Sequence, residues 1–440
     1  MSHVPAPHRV APATTDAADA GASASASRYA WYILFILTLV QVVNYVDRQI
    51  IPPLLKPIQD ELNLSNTAVG FLGTAFMLVH SLAAIPLGVL ADRVARRKII
   101  AAGVGFWSLA TAGAGFASSY SHLLLARGAV GVGEAAYAPA ATSLLSDMFP
   151  ARMWAKVIGI FNLGLVIGAA VGLVLGGVLS EKIGWRACFF VVGLPGLLLT
   201  VVVWLFREPP RSHLTEPPKW ADMVQVLHIK SFWLVIAGAA SVTFAAGALV
   251  HFLPKLVTEV YAVPSSQAAV RLTPIVIAAF LGVIAGGVIA DWLQQRFAAG
   301  RALTMAVAFL LGAPFLYWGL YAPTLGQFIT AGFIATFFMS FYHGPVAAIV
   351  TDLVPASLRA TAIAFYMFAI HILGDMPSPV IVGFLSDVIA GEQASAAVMT
   401  EALRQAMLLC VAATALSGII FAGVSPVLRR RAVAIEPVSA

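Results

Sequence analysis

The sequence predicts an all-α membrane protein: twelve transmembrane helices arranged as two pseudo-symmetric six-helix bundles. Hydrophobic residues make up 60% of the 440 and charged residues only 10%, a balance that a water-soluble chain of this length does not carry. Apolar runs of about 20 residues, the length a helix needs to cross the hydrocarbon core, recur from Tyr29 to Val427 with short polar breaks. No run alternates at period two for long enough to make barrel strands.

The spans fall at roughly 29–57, 66–92, 98–117, 122–146, 153–180, 185–206, 231–261, 265–291, 301–321, 325–350, 358–389 and 400–428. Residues 1–28, rich in Ala, Ser, Pro and Thr without apolar periodicity, read as a disordered tail, and the stretch after them is too long for a cleavable signal. Residues 207–230, with Pro209, Pro210, Pro217 and Pro218, read as a linker between bundles at 29–206 and 231–428, and 429–440 as a closing tail. Cys188 and Cys410 both fall inside spans, which speaks against a structural disulfide.

The formal net charge of +6 has a topological origin. Arg93, Arg96, Arg97 and Lys98 follow span two, Arg152 and Lys156 follow span four, and Arg207, Arg211, Lys219 and Lys230 occupy the linker. Arg296 and Arg301 lie between spans eight and nine, Arg359 follows span ten, and Arg429, Arg430 and Arg431 close the chain. With twelve spans all of these lie on one side, which the positive-inside rule makes cytoplasmic along with both termini. No nucleic-acid partner is expected.

The two halves echo each other. Gly88-Val89-Leu90-Ala91-Asp92-Arg93 closes span two, and Gly287-Val288-Ile289-Ala290-Asp291-Trp292 closes span eight, its equivalent. Asp147-Met148-Phe149-Pro150-Ala151-Arg152 links spans four and five as Asp352-Leu353-Val354-Pro355-Ala356-Ser357 links ten and eleven. Two matches at equivalent loops indicate duplication, and a path through the membrane commonly runs between such halves.

Charge at the centre of a membrane helix costs about 2.5 to 3.5 kcal/mol, so an ionisable residue there faces the bundle interior and marks a route for ions, protons or polar cargo. The first span carries Asn44-Tyr45-Val46-Asp47-Arg48; neighbours on a helix differ by about 100 degrees, so Asp47 and Arg48 address different surfaces. In the fourth span Arg127, Gly131 and Glu134 lie within two turns on one stripe. In the eleventh, His371 and Asp375 sit one turn apart before Met376-Pro377-Ser378-Pro379, where the prolines interrupt regular hydrogen bonding. That pair reads either as a gate or second proton site, or as a brace for the bend. His251, Lys255 and Glu259 share a face near the outer end of span seven and read as a solvated lip, and His80 and His343 as polar contacts between helices.

The sequence carries no Gly-x4-Gly-Lys-Ser/Thr loop, no Cys/His cluster of metal-ligand spacing and no nucleophile elbow, so neither a cofactor nor an enzymatic activity is expected.

The loop Gly88-Val89-Leu90-Ala91-Asp92-Arg93-Val94-Ala95-Arg96-Arg97-Lys98 resembles the signature Gly-x-Leu-Ala-Asp-Arg-x-Gly-Arg-Arg-Lys of the major facilitator superfamily, with Ala95 where Gly is usual. Gly164, Gly168, Gly172, Gly176 and Gly177 in span five are similar to the glycine-rich helix of that family's proton antiporters, without their Gly-Pro pair. Asn44-Tyr45-Val46-Asp47-Arg48, together with Arg127-Gly128-Ala129-Val130-Gly131-Val132-Gly133-Glu134-Ala135, resembles the Spinster branch in a bacterial-type form. Characterised members of that branch move lysophospholipids or sphingosine-1-phosphate and are thought to be proton-linked.

The resemblance covers about residues 29–430. It implies a secondary transporter working by alternating access, with spans one, four, seven and ten around a central cavity. Burial and arginine neighbours pull an acid's proton affinity in opposite directions, which makes Asp47 and Glu134 the expected proton carriers. Asp47, Arg48, Arg127 and Glu134 are the expected cargo site, a permanent salt bridge between spans one and four being the other reading. The expected cargo is an amphipathic, anionic or zwitterionic lysolipid, with a smaller organic anion or drug as the alternative. Asp92 is expected to meet Arg96 or a nearby helix N-terminus and, with Arg97, to gate the cytoplasmic end, Asp291 being its second-half echo. A monomer in a bacterial inner membrane is expected, with the lipid bilayer and protons as its other partners.

Overall fold

The computed structural model describes residues 27–209, 225–355, 358–391 and 394–435, and every regular element among them is helical. The first half comprises α1 (Arg28–Leu62), α2 (Asn66–Arg93), α3 (Arg96–Ala114), α4 (Tyr120–Ala135), α5 (Tyr137–Met148) and α6 (Trp154–Trp204). The second comprises α7 (Lys230–Val260), α8 (Ser265–Gln294), α9 (Gly300–Leu320), α10 (Leu325–Met339), α11 (His343–Asp352), α12 (Arg359–Ile370), α13 (Ser378–Ala390), α14 (Ala396–Ala406) and α15 (Leu408–Ile435). Among the described residues nine helical stretches are long and apolar enough to cross a membrane. One of them, Lys156–Trp204, holds two crossings, because Gly184 adopts φ +80° inside α6 and turns the chain back. With α3 and the α4–α5 pair the crossings number twelve, six to a half.

Local signals start these helices where the sequence places polar residues. Ser27, Ser65, Ser119, Thr324 and Ser395 each accept, on the side-chain oxygen, the backbone amide three residues on, filling one of the orphan donors of α1, α2, α4, α10 and α14. The glycines of α6 then set how closely it approaches α1. A Cβ at Gly164, Gly168, Gly172 or Gly176 would come within 2.7, 2.4, 2.7 or 2.8 Å of the carbonyl oxygens of Thr38, Val42, Val46 and Ile50. The four-residue spacing is thus a small-residue seam along which two backbones pack, as helices in lipid commonly do. Phe35, Leu109, Leu198, Val288 and Phe384 turn outward and are largely exposed, forming the apolar surface a bilayer covers.

The halves meet at one end only in their described polar contacts, the end away from the arginine-rich loops. The hydrogen bonds and ion pairs between them join the end of α1 and the start of α2 to α7, the bend of span eleven and α13, and the middle of α6 to the start of α8. Apolar packing follows suit, with Leu173 of α6 buried among Ala268, Ala269 and Leu272 of α8.

Three expectations change here. His251 and Lys255 are buried, 6% and 2% exposed, and reach across to the first half. His251 Nε2 lies 2.9 Å from the carbonyl oxygen of Val69, and Lys255 Nζ donates to Asn66 Oδ1. With Glu259, which lies 3.6 Å from Lys56, they form a seal between halves rather than a solvated lip. Span eleven is interrupted by a π-helical turn, His371–Asp375, in which Met376 N donates to His371 O at 3.0 Å. The prolines follow it at the start of α13, where a missing amide costs nothing. Finally, α15 runs on to Ile435 through Arg429, Arg430 and Arg431, residues expected in a tail; Leu, Arg and Ala continue a helix readily once it leaves the membrane. Most of the expected 207–230 linker and the tail before Ser27 lie outside the described residues.

Candidate functional site

The charges of spans one and four meet in two pairs. Arg48 Nε donates to Glu134 Oε2 at 2.5 Å, and Arg48 Nη2 lies 2.9 Å from His80 Nε2. Asp47, turned about 100 degrees from Arg48 by the helix, accepts the Thr111 hydroxyl on α3 and lies 3.7 Å from Arg127 Nη1. Phe76 on α2 stands between the pairs, its ring centroid 5.2 Å from the Arg48 guanidinium carbon and 4.7 Å from that of Arg127, within cation–π range. Gly131 permits this: a Cβ there would meet Phe76 O at 2.7 Å and His80 N at 3.0 Å, so any larger residue would push α2 away from α4. The stripe Arg127, Gly131, Glu134 is real, and its middle member is the contact point.

The four charges are not equivalent. Asp47, Arg127 and Glu134 are 1%, 4% and 2% exposed, whereas the Arg48 side chain retains 22%. Asp47 Oδ1, Glu134 Oε1 and Arg127 Nε make no hydrogen bond within the protein, an expensive condition for buried ionisable groups. Arg48 therefore presents the edge of the cluster, and the other three lie behind it.

Opposite Arg48 stands the bend of span eleven. His371 Nδ1 lies 2.9 Å from Asp375 Oδ2, so the pair predicted one turn apart is formed, here across the π-helical turn. Asp375 is within electrostatic reach of Arg48, and His371 of His80. Tyr45 and Asp375 both reach Tyr342 in the same way. Tyr45, Arg48 and His80 of the first half thus face Tyr342, His371 and Asp375 of the second.

At the arginine-rich end each half carries its own charged staple. Arg96, 3% exposed, donates from Nη1 to Asp147 Oδ2 at 2.5 Å and from Nε to Glu208 Oε1 at 2.9 Å. Glu208 also accepts the amides of Arg96 and Arg97, capping α3, while Arg97 Nη1 donates to Phe206 O at 2.7 Å and covers the end of α6. The sequence expectation sets Asp92 against Arg96 or a nearby helix N-terminus; the described partners of Arg96 are Asp147, Glu208 and Ser143, and the Asp92 side chain lies outside the described residues. In the second half Arg301 takes the matching place, at 3.0 Å from Asp291 and 2.8 Å from Asp352. The sequence echo Asp147/Asp352 therefore marks a repeated contact, and Arg301 is its missing base.

Sequence reasoning read His80 only as a polar contact between helices, without Arg48 as its partner, and did not assign roles to Thr111 and Phe76. A histidine and a threonine inside apolar spans are weak polar signals, and Phe76 carries none. His343, stacked on Tyr342 at 4.1 Å between ring centroids, is a local contact.

Residues 37–379 match the model of the Major Facilitator Superfamily. The chain is 30% identical over 435 residues to human Protein spinster homolog 1, covering 91% of this chain and 82% of that protein. It is 28% identical to Protein spinster of Drosophila melanogaster, where it spans 83% of this chain and 63% of the relative's length. It is 27% identical to the Sphingosine-1-phosphate transporter SPNS2 of Xenopus tropicalis, over 92% and 84% of the two chains. Among solved structures, a bacterial homologue of the human lysosomal transporter Spinster, inward-facing and unoccupied, matches with a TM-score of 0.83 at 26% identity, covering 92% of this chain and 99% of that one. The chain belongs to the Major Facilitator Superfamily and, within it, to the Spinster transporters.

Proposed function

We propose that this protein is a proton-coupled transporter of lysolipid-like cargo: a single-chain amphiphile with an anionic or zwitterionic head. The observation that carries the reading is the partial exposure of Arg48 in front of three buried charges. A guanidinium offers a planar fork of donors to phosphate, and each methylene of a tail placed against apolar walls contributes about 0.8 kcal/mol. The relative named as a sphingosine-1-phosphate transporter supports the same class of cargo.

Asp47 and Glu134 carry the protons in this reading. Each is buried, each faces an arginine, and each keeps one oxygen without a hydrogen bond from the protein, where a proton can be held. Asp375 and His371 complete the head-group site from the other half, Asp375 being placed to meet a cationic portion of a zwitterionic head. Arg96, Arg97 and Asp92 in one half, and Asp291 with Arg301 in the other, act at the end that opens and closes. That end is cytoplasmic by the positive-inside rule, as are both termini, in the inner membrane of a bacterium. The protein works as a monomer without a cofactor, and the conformation described is then the inward-facing one, sealed outside by α2, α7 and α13.

Purified protein in liposomes tests the reading, with flux of lysophospholipids of graded tail length measured against short organic anions, with and without a pH gradient. Lysolipid flux that rises with tail length and responds to the gradient is expected. Strong flux of a short organic anion, indifferent to tail length, overturns it in favour of a small-anion carrier.

A further inference from the structure

The contact between Arg48 and His80 fixes the chemical state of the histidine. A guanidinium has only donors, so a nitrogen 2.9 Å from Arg48 Nη2 must accept. His80 Nε2 is therefore the unprotonated nitrogen of a neutral ring. A ring carrying protons on both nitrogens would set one N–H against another and one cation against a second.

The exchange that an arriving anion makes at Arg48 follows from the two bonds this arginine already holds. Its Nε bond to Glu134 is a charge-assisted pair at 2.5 Å, behind which the acid is fully buried. Its Nη2 bond goes to a neutral acceptor on a half-buried side chain. Both bonds have a cationic donor, but an anionic acceptor adds a Coulombic attraction that the neutral imidazole lacks, so an anionic head competes for Nη2 and leaves the Glu134 pair in place. Taking Nη2 releases the lone pair of His80 Nε2 beside the new anion.

We propose that His80 is the residue that links cargo occupancy to proton uptake: a phosphate-type head group takes Arg48 from His80, and His80 then binds a proton and donates it as a hydrogen bond to the same head. The proton comes from water in the cavity and goes onto the Nε2 lone pair; no covalent bond between heavy atoms forms or breaks. This rests on the reading of Arg48 as the head-group contact. The groups facing the ring are Arg48 of α1, Glu134 and Arg127 of α4 behind it, and His371 with Asp375 from the bend of span eleven, with His251 of α7 packed one to two turns away against Gly73. Phe76 closes the remaining side, edge to face with the ring at 5.8 Å between centroids. An anion arriving among these groups stabilises a second cation at His80; without it, Arg48 opposes one.

The test measures proton uptake on binding of lysophosphatidate to the full-length protein in detergent, by calorimetry in buffers of different ionisation enthalpy. Inorganic phosphate and a neutral monoacylglycerol are run in parallel. Wild type is expected to take up protons with lysophosphatidate and none with monoacylglycerol. His80→Gln keeps a hydrogen-bond acceptor near Arg48 and cannot titrate. It is expected to lower the uptake and to weaken binding about tenfold near pH 6, the worth of a cationic over a neutral donor to the same anion, with the two curves converging near pH 8. His80→Asn, a shorter acceptor, guards against a folding artefact and is expected to do the same. Uptake in both variants equal to that of wild type overturns the role of His80 while leaving Arg48 as the head-group contact. Absence of uptake and of binding in wild type overturns both readings. Uptake driven equally by inorganic phosphate upholds His80 and removes the lipid tail from the cargo.

Discussion

Asp387, near the end of α13, receives Thr67 twice: the backbone amide at 2.7 Å and the hydroxyl at 2.6 Å. The amide of Asn66 donates to the same carboxylate at 3.0 Å. One half of the molecule thus caps a helix of the other, since these amides are among the orphan donors that open α2 and the helix dipole favours an anion there. Ser65 caps the same helix from its own half, so α2 stays started when the halves part while Asp387 loses its donors. Gly383 completes the fit, because a Cβ there would come within 2.3 Å of Asn66 O.

Asp387→Asn is therefore expected to shift the protein towards states open at this end. Hydrogen bonds to a charged group contribute about 1.5 to 3 kcal/mol, so the open-to-closed ratio should rise about tenfold or more. Distance distributions between spin labels in the turns after α1 and α7 report it. If they match those of the parent protein, the cap stabilises α2 without holding the halves together.

Asp47→Asn and Glu134→Gln preserve size while removing the titratable charge. Both should abolish most of the dependence of flux on a pH gradient at nearly normal protein levels. Their effects should be less than additive, because Phe76 touches both arginines and the pairs share one buried cluster. A pH dependence that survives in both variants would make these pairs a permanent brace between spans one and four.

The two staples at the arginine-rich end should differ in their contribution to stability. Arg96 is buried between Asp147 and Glu208, whose side chains are 12% and 13% exposed, and breaking a buried pair typically costs about 3 to 5 kcal/mol. Arg301 pairs with Asp291 and Asp352, which are 64% and 60% exposed, so its loss should cost no more than about 1 kcal/mol. Thermal denaturation in detergent should show a large drop for Arg96→Ala and a small one for Arg301→Ala. Equal drops would mean that burial at this end does not set the worth of the pairs.

The sequence makes the twelve spans, their duplication and the charged positions of spans one and four legible because each breaks an apolar pattern. The five glycines of span five are visible too, although only the packing shows that four of them face the backbone of α1. What escaped is whatever depends on three-dimensional register. Lys255 and His251 lie near a helix end, where charged side chains commonly reach water, and only the arrival of α2 from the other half buries them. The partner of Arg96 could not be read either, since Glu208 approaches from beyond span six and Asp147 from the end of span four. Among the described residues His80 has no hydrogen-bonding partner in its own helix, and its meaning came from a contact 32 residues away in the chain.

Arg48 and Arg127 carry the same charge and differ in what surrounds it, which separates head-group contact from support. Arg48→Lys keeps a cation yet loses the fork, so a single ammonium cannot hold Glu134 and a phosphate oxygen in the same geometry. The apparent affinity for lysophosphatidate should fall about tenfold, with a neutral monoacylglycerol much less affected. Arg127 lies 4% exposed beneath Phe76, so Arg127→Lys should leave that selectivity between the two amphiphiles intact and instead lower thermal stability, because a lysine replaces a guanidinium stacked on the ring. Binding assays with the two amphiphiles, paired with melting curves, distinguish the outcomes. If Arg127→Lys loses phosphate selectivity and Arg48→Lys retains it, the head group sits deeper, against the Asp47 pair, and Arg48 becomes the residue that closes over it.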